Sequence, residues 1–293
     1  MLTKASPEAP IKTSKDSKLD FVSSASLFSI EGAHGTIPCR SWGSPSKSSA
    51  VVVLVHGLNA NASWFEPVAR QFQLNNIYVV AYDQIGFGQR KSEVIRSYKD
   101  WLQDLETVFH YVQEQIGTRP VFLLGNSMGS LICSSVTPKL KPAGLILTAP
   151  AFAGHPKAFT IPFTIKTMLK SLVNPRWKIA EPNNIQQITR SPEAQEWILQ
   201  DEGPHICVPA GVFLQIYLLI KRASRKIALI DCPLFMLTAQ YDFIVDNHTS
   251  MQVFNKLKGA EKMHKEFAGA YHDLLLDPMF EYITADIIQW MHK

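Results

Sequence analysis

Ser127 lies at the centre of a Gly-x-Ser-x-Gly pattern, the arrangement in which a serine can serve as a nucleophile. The apolar run 121–124 before it predicts a buried strand, and the apolar residues after it recur at helical spacing. A strand that turns directly into a helix strains the serine backbone, and a side chain at Gly125 or Gly129 would collide with neighbouring backbone. The N–H of Met128 then points to where an oxyanion would form. The pattern predicts a nucleophile elbow rather than a glycine-flanked loop serine.

A nucleophilic serine needs a base, and the base needs an acid that orients it. In folds with this elbow, the chain order is serine, acid, histidine, and each residue follows a strand. Asp242 directly follows the predicted strand 234–238, whereas Asp246 lies nearer the next helix and Asp231 precedes the strand. Asp242 is therefore the predicted orienting acid.

The histidine must come later in the chain and must also follow a strand. The sequence places His248 at the start of a predicted helix, His264 inside a predicted strand and His292 next to the last residue. Only His272 lies in a loop at the correct edge of the predicted sheet, 30 residues after Asp242. His272 is therefore the predicted general base and acid.

The second oxyanion donor is expected in the loop after the predicted strand 50–55. His56 and Gly57 follow that strand, and a glycine lets the backbone pass close to a substrate. We predict that the N–H of Leu58 faces that of Met128, and that His56 has a structural role.

Strands and helices alternate along the parts of the chain that carry these residues. The predicted strands are 50–55, 77–82, 121–124, 144–149, 234–238 and 263–267, and the predicted helices are 63–72, 98–116, 249–257 and one from 278. This alternation is typical of an α/β fold with a mostly parallel central sheet and helices on both faces. In such folds, sites lie beyond the carboxyl ends of the strands.

The alternation stops at Pro150 and resumes near 228, and this break divides the chain. We predict a flexible N-terminal tail over 1–20, an α/β core over 21–150 and 228–293, and an inserted helical cap, without strands, over 151–227. The longest apolar run, 206–220, is predicted to be a buried helix, because it is shorter than the roughly 20 residues that span a bilayer.

Composition narrows the classes of protein. The chain has 293 residues, of which 46% are hydrophobic and 18% charged, with a net charge of +4. This mild charge does not indicate binding to nucleic acid, but it is compatible with transient contact between the cap and an anionic membrane surface. The four cysteines form no Cys-x-x-Cys pair, which argues against a zinc site and favours reduced thiols in the cytoplasm. The sequence does not indicate an oligomeric state.

Several separated motifs together carry a resemblance. They are His56-Gly57, Asp83-x-x-Gly86-x-Gly88, Leu124-Gly125-x-Ser127-Met128-Gly129, Asp242-x-x-Val245-Asp246 and Gly269-Ala270-Tyr271-His272. From Phe21 onwards the chain resembles the α/β-hydrolase superfamily, and more narrowly its monoacylglycerol lipase and lysophospholipase branch. The resemblance implies hydrolysis of single-chain lipid esters through a Ser-His-Asp triad, with no metal and no organic cofactor.

The chain departs from that branch at three positions. The branch usually carries His where Asn126 stands, Gly where Ser130 stands and Ser where Arg90 stands. None of these changes removes a catalytic group, but the first two alter the surroundings of the elbow.

Other functions stay open at this point. They are a short-chain carboxylesterase or thioesterase, an aminopeptidase of the same fold, and a non-catalytic ligand-binding relative. An aminopeptidase needs an acidic group for a free amine, and five cap residues supply candidates: Glu181, Glu193, Glu196, Asp201 and Glu202. Epoxide and haloalkane hydrolases carry Asp at the elbow, so Ser127 argues against them. The basic residues Lys221, Arg222, Arg225 and Lys226 either meet anionic headgroups or form a solvated helix face.

Overall fold

The computed structural model describes residues 19, 21, 23–180, 182, 184–202, 207–258 and 261–293. Within them, the strands are β1 (Ser26–Gly32), β2 (Gly35–Trp42), β3 (Ala50–Val55), β4 (Ile77–Tyr82), β5 (Val121–Asn126), β6 (Gly144–Thr148), β7 (Lys178–Ala180), β8 (Cys207–Pro209), β9 (Leu234–Ala239) and β10 (Lys262–Phe267). The tail predicted over 1–20 lies outside the described residues, apart from Leu19.

Helices connect most of these strands. They are α1 (Glu66–Leu74), α2 (Tyr98–Ile116), α3 (Met128–Leu140), α4 (Ile161–Val173), α5 (Ile185–Ile188), α6 (Pro192–Glu202), α7 (Ala210–Lys226), α8 (Asn247–Phe254) and α9 (Phe280–Met291). Helix α2 has the predicted bounds, and a capping box between Ser97 and Asp100 fixes its start. Helix α8 begins two residues earlier than predicted because the side chain of Asp246 accepts the N–H groups of His248 and Thr249.

One sheet contains all the strands except β7 and β8. Its order is β1-β2-β4-β3-β5-β6-β9-β10. The pairs from β4 to β10 are parallel, whereas β1 pairs with β2, and β2 with β4, in antiparallel fashion. This confirms the predicted fold class, a mostly parallel sheet between helices. The parallel strands bring their carboxyl ends, and the loops that follow them, to one edge of the sheet.

Strand β3 shows why the sheet is buried on both faces. Its residues alternate between two hydrophobic cores: Val51, Val53 and Val55 belong to one, and Val52 and Leu54 to the other. All five are fully buried. A continuous apolar run is what a strand covered by helices on both faces requires.

The cap segment, residues 151–227, lies between β6 and β9 and contains α4 to α7. The prediction that it has no strands is wrong, because β7 and β8 pair as a small antiparallel ribbon. Each strand has only three residues, too few for an alternating pattern to be visible. The run 206–220 is likewise not one buried helix: it includes β8, and Tyr217 and Leu218 on α7 are exposed.

Within the described residues, no helix is both long enough and apolar enough to traverse a bilayer.

Candidate active site

Ser127 occupies the turn between β5 and α3. Its backbone has φ +52° and ψ −115°, a conformation that residues other than glycine rarely adopt. A Cβ at Gly125 would lie 2.5 Å from the carbonyl oxygen of Gly129, and a Cβ at Gly129 would overlap the carbonyl oxygen of Val55. The two glycines therefore allow the tight bend that holds Ser127 above the sheet.

Three side chains from distant parts of the chain meet at this turn. His272 Nε2 lies 3.0 Å from Ser127 Oγ, and His272 Nδ1 lies 2.8 Å from Asp242 Oδ2. The other carboxylate oxygen of Asp242 accepts the N–H groups of Ile244 and Val245 at 2.9 and 2.8 Å. In this network, the imidazole tautomer with its proton on Nδ1 donates to Asp242 and accepts from Ser127. These distances are those that activation of a serine by an oriented base requires.

The competing residues have other partners. Asp246 caps α8, and the hydrogen bonds that it accepts lower its pKa although partial burial acts to raise it. His264 pairs with the hydroxyl of Thr238 at 2.9 Å, and His248 pairs with Gln252. Neither histidine is brought to Ser127.

The two predicted oxyanion donors lie in the loop after β3 and at the start of α3. Leu58 and Met128 both line the cavity above Ser127, and neither N–H donates a hydrogen bond to another described residue. A Cβ at Gly57 would come within 3.2 Å of the Ser127 Cβ, so the loop after β3 passes close to the nucleophile. The two donors remain predicted members of an oxyanion hole.

His56 stiffens that loop. Its Nδ1 donates to the carbonyl oxygen of Gly57 at 2.8 Å, and its Nε2 accepts the N–H of Gln84 at 3.1 Å. Full burial lowers its pKa, which favours the neutral ring that these two bonds require. The contacts agree with the structural role predicted for His56.

One pair of residues at the site was not predicted from the sequence. Asn126 Nδ2 donates to Asp273 Oδ2 at 3.0 Å, and the hydroxyl of Thr148 donates to Asn126 Oδ1 at 2.8 Å. Because Asn126 precedes Ser127 and Asp273 follows His272, this bond runs beside the bond between serine and histidine. Burial raises the pKa of Asp273, whereas the neighbouring His272 and the hydrogen bond from Asn126 oppose the rise. The only signal in the sequence was the unusual Asn126.

The other two departures are structural. The hydroxyl of Ser130 donates to the carbonyl oxygen of Gly125 at 2.6 Å, which binds the first turn of α3 to β5. Arg90 is buried and forms ion pairs with Asp104 at 2.6 Å and with Glu93 at 2.8 Å. These contacts hold the loop after β4.

An apolar cavity of about 400 Å³ opens above Ser127. Its walls include Trp64, Phe152, Phe159, Phe163, Phe213 and Ile216, from core loops and from the cap segment. The described carboxylates of the cap segment do not line it. Asp201 instead accepts Asn61 Nδ2 at 2.6 Å and Trp64 Nε1 at 2.9 Å. The cavity suits an apolar chain far better than a free amine.

In the part of the chain that the structure describes, no group of three or more His, Cys, Asp or Glu side chains is placed to hold a metal ion.

Comparisons with known proteins identify the family of the chain. The family model for serine aminopeptidase, S33, matches residues 46–279. The chain is 26% identical to the monoglyceride lipase of Rattus norvegicus over 245 residues, which are 80% of this chain and 79% of the relative. It is 24% identical to the phospholipase YtpA of Bacillus subtilis over 235 residues, 78% of this chain and 90% of the relative.

Similarity to solved structures supports the fold. A soluble variant of monoglyceride lipase from Saccharomyces cerevisiae, in complex with a substrate analogue, matches with a TM-score of 0.81 at 21% identity. The match covers 93% of this chain and 97% of that chain.

Proposed function

This chain belongs to the serine aminopeptidase S33 family of α/β-hydrolases, and from that premise we propose that it hydrolyses carboxylic esters of single-chain lipids. The observation that carries the proposal is the chain of hydrogen bonds from Ser127 through His272 to Asp242 beneath an apolar cavity. Relatives named monoglyceride lipase and phospholipase support a lipid ester as the substrate class. Both headgroups, monoacylglycerol and lysophospholipid, fit this proposal.

The first half of the reaction forms an acyl-enzyme. His272 Nε2 takes the proton of Ser127 as Oγ attacks the ester carbonyl, and Asp242 stabilises the positive imidazole. The N–H groups of Leu58 and Met128 hold the oxyanion, and removal of one such donor typically costs about 10²–10³ in rate. His272 then protonates the departing alcohol.

The second half releases the fatty acid. A water molecule loses a proton to His272 as it attacks the acyl carbonyl, and Ser127 leaves with that proton restored. All the proton transfers use one imidazole, so no metal or organic cofactor enters the proposed reaction.

The walls of the cavity supply the binding energy for an acyl chain. Each CH₂ group that leaves water gains roughly 0.8 kcal/mol. Aromatic and aliphatic side chains from both the core and the cap segment surround the space above Ser127. We therefore propose that residues 151–227 act as a cap over the two core segments 21–150 and 228–293.

The aminopeptidase alternative finds less support. A free α-amine would need a carboxylate in the cavity, and Asp273, the one described carboxylate there, is held by Asn126. Glu193 pairs with Ser191, and Asp201 binds Asn61 and Trp64. Glu181 and the side chain of Glu202 lie outside the described residues.

A cytoplasmic location, with transient membrane contact through the cap, is part of the proposal.

A hydrolysis panel tests this function. It contains monoacylglycerols, lysophospholipids, p-nitrophenyl esters of graded chain length and an aminoacyl amide. We expect medium or long acyl chains to be preferred, and Ser127→Ala to lower kcat by about 10⁴-fold or more, because the attacking atom is lost. Ser46→Ala, at an exposed serine, is the matched control. Highest activity on the shortest ester or on the amide would contradict the proposal.

A further inference from the structure

Thr164, Thr167, Tyr217 and Lys221 interrupt the apolar wall that the cap segment gives to the cavity, and two of them matter most for a ligand. The first is Thr167 on α4, which is 4% exposed and lines the cavity. Its hydroxyl forms no hydrogen bond with any described residue, whereas the buried hydroxyls of Thr137 and Thr284 donate to carbonyl oxygens four residues earlier at 2.8 and 2.7 Å. The Thr167 hydroxyl is therefore available to a group that enters the cavity.

The second group is Lys221 on α7. Among the described residues that line the cavity, it is the only side chain with a permanent positive charge. No described carboxylate lies within salt-bridge distance of its ammonium group, and its nearest recorded partner is the ring of Tyr217, with the centroid at 5.2 Å. Lys226, further along the same helix, does not line the cavity. Lys221 is an exposed residue, and it brings a cation without a carboxylate partner to the wall of the cavity.

Asp273, the described carboxylate that lines the cavity, already has hydrogen-bond partners in the protein. Asp273 accepts hydrogen bonds from Asn126 at 3.0 Å and from the N–H of Leu275 at 3.1 Å. Its carboxylate is therefore not free to pair with a cation of the ligand. The charge that the described walls leave for a ligand is positive, and this selects an anion.

The two groups are also held on connected elements. Helix α4 leads towards β7 and α7 starts directly after β8, and these strands pair with each other. The N–H groups of Ala210 and Gly211 at the start of α7 donate to the carbonyl oxygens of Trp177 and Pro175. The ribbon therefore joins the helix that carries Thr167 to the helix that carries Lys221.

We propose that Lys221 and Thr167 bind the phosphate of a single-chain phospholipid, so that anionic lysophospholipids are preferred over neutral monoacylglycerols. This inference rests on the proposed ester hydrolysis at Ser127. An ammonium group and a hydroxyl both donate hydrogen bonds to phosphate oxygens, and a neutral glycerol headgroup gains nothing from the charge. The apolar walls hold the acyl chain, and the phosphate stays on the alcohol that leaves.

The test compares two esters with the same acyl chain, dodecanoyl lysophosphatidate and monododecanoylglycerol. Both are assayed below the concentration at which they aggregate, so that attraction to a membrane surface does not contribute. We expect Lys221→Met to lower the ratio of kcat/KM for the phosphate ester to that for the glycerol ester by about tenfold or more, mainly through KM. Lys221→Arg should restore much of the ratio, because it keeps the charge.

Matched variants separate this effect from general damage. Lys226→Met removes a cation from the same helix outside the cavity and should leave the ratio unchanged. Thr167→Val should lower the ratio and Thr167→Ser should keep it. Ser171→Ala is the control for the loss of a hydroxyl, because the hydroxyl that it removes already donates to the carbonyl oxygen of Met168. An unchanged ratio in both Lys221→Met and Thr167→Val would overturn the inference.

Binding provides a readout that does not depend on hydrolysis. The ether analogue of the lysophosphatidate, which cannot be cleaved, is titrated into Ser127→Ala and into Ser127→Ala with Lys221→Met. We expect weaker binding by the second protein, even if the wild type hydrolyses neither ester and the proposed function fails. Inhibition by inorganic phosphate, without any preference for the phosphate-bearing lipid, would overturn the inference, because a free ion would then explain the site.

Discussion

At the scale of single residues, Asp273 is a carboxylate whose burial opposes its charge. Its carboxylate is buried beside His272 and is held by one side-chain amide and by backbone N–H groups. Burial disfavours the charged form, so its pKa is raised above the ordinary value for an aspartate. The protein keeps this carboxylate where it links the loop of His272 to the strand of Ser127.

The raised pKa predicts how stability depends on pH. Between the ordinary aspartate pKa and the folded-state value, the folded protein binds more protons at Asp273 than the unfolded chain does. The free energy of unfolding therefore falls as pH rises through that window. The amide of Asp273→Asn does not titrate, so the variant does not undergo this loss. We therefore expect it to gain stability relative to the wild type as pH rises from about 4. Urea denaturation at a series of pH values measures the difference.

The exposed Asp231 supplies the control for this experiment. Asp231→Asn makes the same change of side chain at a residue that is exposed in the folded protein. A constant difference in unfolding free energy between Asp273→Asn and the wild type across the pH series would show that Asp273 is not the titrating group.

At the scale of elements, helix α4 presents several apolar side chains to the outside. Ile161, Ile165, Leu169 and Leu172 are 76%, 55%, 58% and 74% exposed, whereas the polar Thr167 is buried. The sequence displays this apolar stripe, but helical periodicity does not say whether a stripe faces the core or another surface. An exposed apolar face on the cap of a lipid ester hydrolase fits contact with a lipid surface.

This arrangement predicts a selective loss of membrane binding. Ile165→Gln with Leu172→Gln removes apolar surface that would enter the lipid interface, and we expect binding to vesicles of phosphatidylcholine and phosphatidylglycerol to weaken about tenfold. Cosedimentation measures the binding. Hydrolysis of a water-soluble p-nitrophenyl ester should change little, because neither side chain lines the cavity.

The same change at another exposed apolar residue is the control. Leu27→Gln on β1, where the leucine is 66% exposed, should leave vesicle binding unaltered. If the double variant of α4 binds vesicles as tightly as the wild type, α4 is not the surface that meets the lipid.

At the scale of the whole molecule, the sequence predicted the fold because its strands carry strong local signals. Buried runs such as β3 and β5, and the periodic helix α2, can be recognised from a few neighbouring residues. The carboxyl-edge rule then placed Ser127, Asp242 and His272 in loops at one edge, where the structure brings them within hydrogen-bonding distance. Their catalytic roles remain predictions.

Features that depend on distant pairing were not predictable in this way. Asn126 and Asp273 are separated by 147 positions, and neither residue type by itself indicates a hydrogen bond between them. The ribbon of β7 and β8 joins two three-residue strands across the cap segment. The burial of Thr167 depends on which face of α4 meets the protein. Each of these features is decided by packing between elements rather than by local pattern.

The central claim is that Ser127 attacks the ester through a proton transfer to His272. Intact-protein and peptide mass spectrometry after exposure to a fluorophosphonate tests it directly, because this probe bonds only to an activated serine. We predict one adduct, on the peptide that contains Ser127, in the wild type, no adduct in Ser127→Ala and strongly slowed labelling in His272→Ala. An adduct on another serine, or labelling of His272→Ala at the rate of the wild type, would contradict the claim.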